Sequence, residues 1–316
     1  MTQSHAYKVA TIQRKVRSVL SLLQTGTLIE ELNTRRQLQH RIKLEEQWNR
    51  YVAGNKRVRK RLGNGLRIML YPEDRLSEMI FKETFEREEQ KFVSMLLRSG
   101  DIFVDVGANI GLFSLIAGRR IGSRGRVIAF EPSRGTFERL IGNVRSNHLD
   151  NVECVQLALS DHNEVRELAV FVEGFAAWNS LARPTSGTQF ETELVQCTTW
   201  DAFASQAKID TVTLMKIDVE GWELNVLNGA SQTLNSSNAP HLLVEFTDAN
   251  AEASGSSCAA VYRHLELLGY TMYTIDTHRR VLRHDPLRSE YPYLNLLASK
   301  RIEFVCQRIG YSVSCL

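Results

Sequence analysis

The stretch F-V-D-V-G-A-N-I-G at residues 103–111 decides the fold of this chain. Ile102 to Val106 is short, apolar and rich in β-branched residues, which predicts a central parallel strand, and a helical apolar pattern begins at Leu112 and runs to Ala117. A strand that turns sharply into a helix opens a crevice at its carboxyl end, where open α/β sheets bind ligands. The turn also separates ligand classes. A dinucleotide fingerprint needs glycine at its first, third and sixth positions so that backbone can approach a pyrophosphate. Counted from Gly107, the third and sixth positions hold Asn109 and Leu112, whose side chains oppose that approach. Gly107 and Gly111 leave room beside the turn, and Asn109 tolerates a left-handed backbone.

The neighbouring strands narrow the ligand further. Val127 to Phe130 reads as a second strand ending in Glu131, 20 residues after Gly111, where a carboxylate can accept both hydroxyl protons of a ribose. A third apolar run, Val152 to Leu159, ends in Ser160 and Asp161, so that apolar side chains could sandwich an adenine and Asp161 could accept from its amino group. A nucleoside ligand without pyrophosphate is therefore expected, namely S-adenosylmethionine (SAM), with Asp105, Gly107, Asn109, Gly111, Glu131, Ser160 and Asp161 as its site. Singly, each acid has an ordinary use: Asp105 as a helix cap, Glu131 as a surface acid before Pro132, Asp161 as a turn former before His162 and Asn163. Their joint occurrence at three successive strand ends carries the reading.

Length and composition accommodate this architecture. A chain of 316 residues with 43% hydrophobic content can bury a substantial core, dividing into a catalytic domain and an extension. Five cysteines are scattered without a C-x-x-C pair, which suggests neither a zinc site nor a disulfide scaffold and fits a reducing compartment. No apolar stretch reaches the ~18 residues of a membrane span. The expected location is cytoplasmic, with peripheral membrane contact admitted by a charge asymmetry. Residues 1–70 hold 15 Lys or Arg against 4 Glu, whereas residues 71–316 hold 24 against 32 acids. Ile12, Val16, Val19, Leu20 and Leu23 recur at helical spacing with Arg14, Lys15 and Arg17 among them, the pattern of a basic amphipathic helix that seeks an anionic surface. The plainer alternative is that these charges solvate a helix packed on the body.

Along the chain, residues 1–65 form a basic, helical N-terminal extension, and breaks at Gly54-Asn55 and Gly63-Asn64-Gly65 precede a domain over 66–316 whose first part, 66–100, is a cap or lead-in. Strand and helix patterns then alternate: helix at 136–147, strand at 152–159, strand at 213–217, helix at 223–228, strand at 242–246 and helix at 259–268. The fold class is α/β, a mostly parallel sheet with helices on both faces. Strand-like runs at 271–275 and 294–298 suit an antiparallel edge hairpin. Between Glu164 and Val195 the alternation lapses into short strand-like pieces with Gly174, Trp178, Asn179, Ser180, Pro184 and Gly187, an insertion suited to recognising an acceptor. Trp178 could equally be a core anchor.

A second motif, K-I-D-V-E-G-W-E-L-N-V-L-N-G-A at 216–230, repeats the order strand, acidic turn, helix. Strand periodicity projects Lys216 and Asp218, and Glu220 if the strand runs on, to one side, with Gly221 allowing the turn; the plainer alternative is that Asp218 and Glu220 cap the following helix, with Lys216 pairing to one of them. Taken together, D-V-G-A-N-I-G at 105–111, A-F-E-P-S at 129–133, A-L-S-D at 158–161, N-S-L at 179–181, this second motif and L-V-E-F at 243–246 resemble the FkbM-type SAM-dependent methyltransferases over roughly residues 85–300. The resemblance implies a Rossmann-like class I methyltransferase fold and O-methylation, commonly of sugars or polyketide-type natural products. Residues 1–65 lie outside it.

Methyl transfer to an alcohol requires positioning and loss of a proton, so a carboxylate near the methyl group serves as general base. Asp218 is the first choice, with Glu220 and Glu245 sharing that role, orienting the acceptor, or joining Asp218 around a divalent metal that the spacing does not demand. Glu86, in the cap, is a further candidate for closing over the ligand. The expected partner is a small-molecule or glycan acceptor. Two rivals stand beside this reading: an N-methyltransferase on RNA with the basic arm tracking phosphates, and a catalytically silent SAM-binding regulatory protein. Against the first, no N-P-P-Y or D-P-P-Y turn follows the fourth strand, so nucleic acid is not the expected partner.

Overall fold

A computed structural model describes residues 27–171, 179–181 and 190–314. The stripe from Ile12 to Leu23, and Gly174, Trp178, Pro184 and Gly187 of the insertion, lie outside them. The chain divides into two compact units, residues 1–56 and 57–316. In the first, α1 spans Thr27–Ala53 with Arg50 in its last turn, where a cation suits the unpaired carbonyls. The second begins with an antiparallel ribbon, β1 (Val58–Arg61) and β2 (Arg67–Leu70). The break expected near residue 65 falls inside this ribbon, because Gly63-Asn64-Gly65 serves as its turn and joins two strands of one unit.

The cap continues as α2 (Arg75–Phe81) and α3 (Arg87–Leu96). Asp74 caps α2 by accepting from the Ser77 amide at 2.9 Å. Glu83 and Glu86 both adopt positive φ, which ends one helix and starts the next within the cap.

Then follow β3 (Ile102–Val106), α4 (Leu112–Ile121), β4 (Arg126–Phe130), α5 (Arg134–Ser146) and β5 (Val152–Val155). The run expected as one strand over 152–159 is broken. Its first half is β5 in the main sheet, and its second half, β6 (Ala158–Leu159), joins a separate sheet ordered β6-β8-β7 with β7 (Glu164–Phe171) and β8 (Phe190–Thr198). The insertion is thus built on a long antiparallel hairpin in which β7 and β8 pair from Glu164↔Cys197 to Phe171↔Phe190.

The remainder comprises α6 (Trp200–Ala207), β9 (Leu214–Ile217), α7 (Glu223–Asn228), α8 (Ser231–Asn235), β10 (His241–Phe246), α9 (Asp248–Ala253), α10 (Cys258–Leu267), β11 (Thr271–Asp276), β12 (Val281–His284), β13 (Leu294–Ser299), α11 (Ile302–Ile309) and β14 (Ser312–Ser314). The main sheet runs β14-β12-β11-β13-β10-β9-β3-β4-β5. Strands β5, β4, β3, β9 and β10 are parallel, and β13 enters antiparallel between β10 and β11. The expected antiparallel pair is present as β11 and β13, but β12 and β14 extend the sheet beyond it, so the edge lies elsewhere. This is a Rossmann-like α/β architecture with a mostly parallel sheet. No helix among the described residues is long and apolar enough to cross a membrane.

Strands β9 and β10 are buried at every position, as expected where helices cover both faces of a parallel sheet. Alternate residues Val104, Val106, Ile128, Met215, Ile217, Leu242 and Val244 form one core with Trp200, Leu227, Leu234 and Leu265 of α6, α7, α8 and α10. Each such side chain contributes roughly 1.5–3 kcal/mol on burial. The opposite parity, which carries Asp105, Lys216 and Glu245, is thereby turned to the other face.

Two glycines hold the central turns together. A Cβ on Gly107, whose φ is +80°, would stand 1.8 Å from the Asp218 carbonyl oxygen, and one on Gly221, φ +99°, would stand 2.1 Å from the Asn250 carbonyl oxygen. The turn after β3 thus packs backbone to backbone on the turn after β9, and that turn on α9. Replacing Gly107 by Ala should destabilise the fold by more than about 2 kcal/mol, since left-handed strain is compounded by a backbone overlap no rotamer can relieve. Thermal unfolding of Gly107→Ala beside Gly63→Ala, where a Cβ meets open space, checks this.

Candidate functional site

A cleft of about 450 Å³ opens at the carboxyl ends of β3, β4, β9 and β10. Of the residues expected to hold a nucleoside cofactor, Asp105, Gly107, Asn109 and Glu131 line it. Gly111, Ser160 and Asp161 are not among its lining residues. Gly111 faces Leu140 of α5, whose Cδ1 would lie 2.6 Å from an added Cβ, so its freedom admits a neighbouring helix. Ser160 is fully buried beneath the cleft, accepting from Trp222 Nε1 at 3.1 Å and donating to Asp161 Oδ1 at 3.0 Å. Asp161 turns to His162 Nδ1 at 2.7 Å. The split of the third strand accounts for this displacement, because its second half follows the smaller sheet.

Glu131 is 5% exposed, and each carboxylate oxygen accepts one backbone hydrogen bond: Oε2 from Asn109 N and Oε1 from Ser133 N, both at 3.0 Å. Asn109, at φ +49°, turns its amide into that bond. Burial raises the Glu131 carboxyl to about 7 despite the two amides. Asp105, 1% exposed, accepts from Ser114 Oγ at 2.5 Å, and burial raises it also. Leu157, Leu159 and Leu168, with Phe130, supply an apolar wall. These features fit an adenosine: an apolar slot for a base, and a carboxylate whose remaining acceptor capacity suits ribose hydroxyls.

The other side of the cleft is acidic. Register pairs Asp105 with Lys216, so β9, which is paired directly with β3, delivers an ammonium beside it. Lys216 is 2% exposed; its Nζ lies 2.5 Å from Asp218 Oδ2, 3.9 Å from Glu86 Oε2 and 4.7 Å from the Phe113 ring centre. Burial alone would depress this ammonium, but Asp218, Glu86 and Asp105 outweigh it and raise its pKa. Asp218, Glu220 and Glu245 each offer a carboxylate oxygen within 4.8 Å of the others. Glu220 accepts from Asn250 Nδ2 at 2.5 Å and Glu245 from Thr247 Oγ1 at 2.9 Å. Burial first, and then the neighbouring carboxylates, push Glu220 and Glu245 well above the usual carboxylate range.

Several participants escape sequence reading. Glu223 closes the second motif's turn by accepting from Val219 N at 3.1 Å and Gly221 N at 3.2 Å. Ser180 Oγ donates to the Glu220 carbonyl at 2.6 Å, tying the insertion to the same turn. Tyr293, from the loop before β13, lines the cleft and donates to Glu86 Oε1 at 2.5 Å, while Asn295 Nδ2 donates to the same oxygen at 2.8 Å. Glu86 is thereby locked at the cap's helix start, where burial raises it to about 7. Glu86 is the cap candidate that the sequence offers for closing over the ligand, whereas Tyr293 and Asn295 carry no motif of their own.

The FkbM methyltransferase domain model matches residues 105–272. The 31-O-demethyl-FK506 methyltransferase FkbM of Streptomyces tacrolimicus is 32% identical over 184 residues, covering 48% of this chain and 68% of that protein. The hexuronic acid methyltransferase AglP of Haloferax volcanii is 28% identical over 155 residues, covering 48% of this chain and 60% of that protein. A solved FkbM methyltransferase from Methylobacillus flagellatus is 17% identical, with 70% of this chain and 54% of that chain covered at a TM-score of 0.40.

A pH signature follows from the raised Glu131. The folded carboxyl holds its proton up to about 7, whereas the unfolded one releases it near 4.5. Its contribution to stability is therefore full below pH 4.5 and lost as pH rises toward 7, by an amount on the order of 2–3 kcal/mol. Glu131→Gln should match the parent at pH 5 and exceed it in thermal stability at pH 8. A variant less stable than the parent at both values would show that the ionised carboxylate is favoured in the fold.

Proposed function

The chain belongs to the FkbM methyltransferase family, and from that premise we propose that it carries out SAM-dependent O-methylation of a hydroxyl on a sugar, glycan or natural-product acceptor. The observation that supports this most is the meeting, in one cleft, of the doubly held Glu131 carboxylate with the Asp218, Glu220 and Glu245 cluster across the turn from it. SAM, when bound, would supply a methyl group that the acceptor oxygen takes in line, the carbon–sulfur bond breaking and the neutral thioether S-adenosylhomocysteine leaving.

The chain's own residues then divide the work. Glu131 takes the ribose hydroxyls, with Asn109 and Ser133 amides fixing its orientation. The apolar wall receives the adenine, and Ser160 acts through Trp222, the cleft-lining side chain it holds. Asp105, with the space beside Gly107, faces the remaining part of the cofactor. Asp218 serves as general base: Lys216 occupies its Oδ2 and so leaves Oδ1 to take the acceptor proton. Glu220 and Glu245, which burial and the neighbouring carboxylates push well above the usual carboxylate range, flank Asp218 and orient the acceptor. Asp218, Glu220 and Glu245 also have the donor set of a hard divalent cation, but Lys216 at 2.5 Å already neutralises one of the three.

Isothermal calorimetry should show SAM binding, weakened by more than about 1.5 kcal/mol in Glu131→Ala, since two charge-assisted hydrogen bonds are lost. Equal affinities would remove Glu131 from the site. Incubation with methyl-labelled SAM and fractionated extract of the native host identifies the acceptor. On that acceptor, Asp218→Asn should keep SAM affinity within a few-fold while turnover falls ~100-fold. Undiminished turnover would move the base to Glu220 or Glu245.

A further inference from the structure

The β1–β2 ribbon has two unlike faces. Its inner face, Val58, Lys60, Ile68 and Leu70, is buried or nearly so, and Lys60 is consumed there by the Phe81 carbonyl at 2.5 Å and Glu83 at 3.0 Å. Its outer face carries Arg59 opposite Met69 and Arg61 opposite Arg67. These three arginines are exposed and form no ion pair or side-chain hydrogen bond among the described residues. Residues 57–72 hold five Lys or Arg and no Asp or Glu. Placing Arg61 directly across from Arg67 costs stability, as like charges opposed on an antiparallel pair do.

The support beneath this face is rigid. Asn143 of α5 and Asn147 just after it clamp the free edge of β2, accepting from Met69 N at 2.7 Å and Arg67 N at 2.8 Å and returning a bond from Asn147 Nδ2 to the Arg67 carbonyl at 2.6 Å. The inner face rests on α2, whose Arg75, Leu76 and Met79 line the cleft.

We propose that this outer face docks the protein on an anionic phospholipid surface, with Arg59, Arg61 and Arg67 as its contacts. Alternate residues on a strand repeat every roughly 7 Å, which separates Arg59 from Arg61, and Arg67 across from Arg61 widens the same basic face, so the three together suit a surface bearing several phosphates. Single-stranded nucleic acid would call for an aromatic stacking platform, and the ribbon offers none. Residues 57–70 contain no aromatic side chain, and Tyr71 is covered by the guanidinium groups of Arg57 at 5.2 Å and Arg139 at 3.9 Å. The excess of basic residues over 1–70 is of the same sign. Docking here would bring the cleft mouth, one helix away, toward acceptors borne on the same membrane; the proposal itself does not depend on the methyl-transfer reading.

The test is co-sedimentation of the full chain with vesicles of 30% phosphatidylserine in phosphatidylcholine, with pure phosphatidylcholine vesicles in parallel. Each engaged arginine is worth about 1 kcal/mol, or roughly fivefold. Binding to the anionic vesicles should fall with salt and drop at least ~10-fold in the triple variant Arg59→Gln, Arg61→Gln, Arg67→Gln. The triple lysine variant should keep most of it, and SAM affinity should be unchanged in both, which reports on folding. Millimolar inorganic phosphate should not displace the vesicles. Equal vesicle binding by the parent and the glutamine variant overturns the proposal. So does displacement by phosphate, or a loss in that variant confined to single-stranded RNA.

Discussion

A single buried ammonium constrains the centre of this molecule. Lys216 sits at the heart of a parallel strand, where an uncompensated charge would cost several kcal/mol, and its compensation comes from three separate elements: Asp105 on β3, Asp218 just beyond β9 and Glu86 at the start of α3. Satisfying one side chain therefore fixes the cap against the sheet and aligns two strand ends. Tyr293 and Asn295, which hold the other Glu86 oxygen, extend the same network to β13. Removing one carboxylate would leave the ammonium short of a partner, so the group is coupled beyond any pair within it.

The network depends in turn on how closely the two motif turns approach. Gly107 against the Asp218 carbonyl, and Gly221 against Asn250, are contacts of main chain with main chain, which allow carboxylates borne on neighbouring turns to stand within a few ångströms of one another. Glu220, at φ +53°, accepts strain in the second turn, where the first turn has Asn109 at φ +49°, a residue type that tolerates it. Its main-chain carbonyl is held by Ser180 from the insertion and its carboxylate by Asn250 from α9, so the strained residue is secured from two directions.

What could be read from the sequence follows from range. Each motif is a strand, turn and helix determined by residues within about ten positions, and both emerge with the expected elements: β3 with α4, and β9 with α7. The place of Glu131 at the end of β4 is legible for the same reason, and Ser133 lies two residues on, whereas its bond from Asn109 spans 22 residues and rests on β3 and β4 being neighbours. The position of Asp161 is not legible, because whether 152–159 stays one strand depends on β8, some 40 residues later, capturing Ala158 and Leu159 into a second sheet. Gly111 misleads because a glycine required by a neighbouring helix looks the same in sequence as one required by a ligand. Tyr293 and Asn250 become visible only once β10 and β13 are in register, as neither lies in a motif of its own.

The charge balance at the acceptor side bears on the chemistry proposed. A sulfonium donor is cationic in the ground state and loses that charge as its methyl group is transferred, so a ring of ionised carboxylates would stabilise the starting complex more than the transition state. Burial answers this by raising Glu220 and Glu245 well above the usual carboxylate range, which favours their neutral forms, while Asp218 is matched by Lys216. The side proposed to receive the acceptor is thereby less negative than its acidic composition implies. In the proposed reaction its oxygen atoms would act through position and hydrogen bonding, the contributions that persist when the donor's charge is gone.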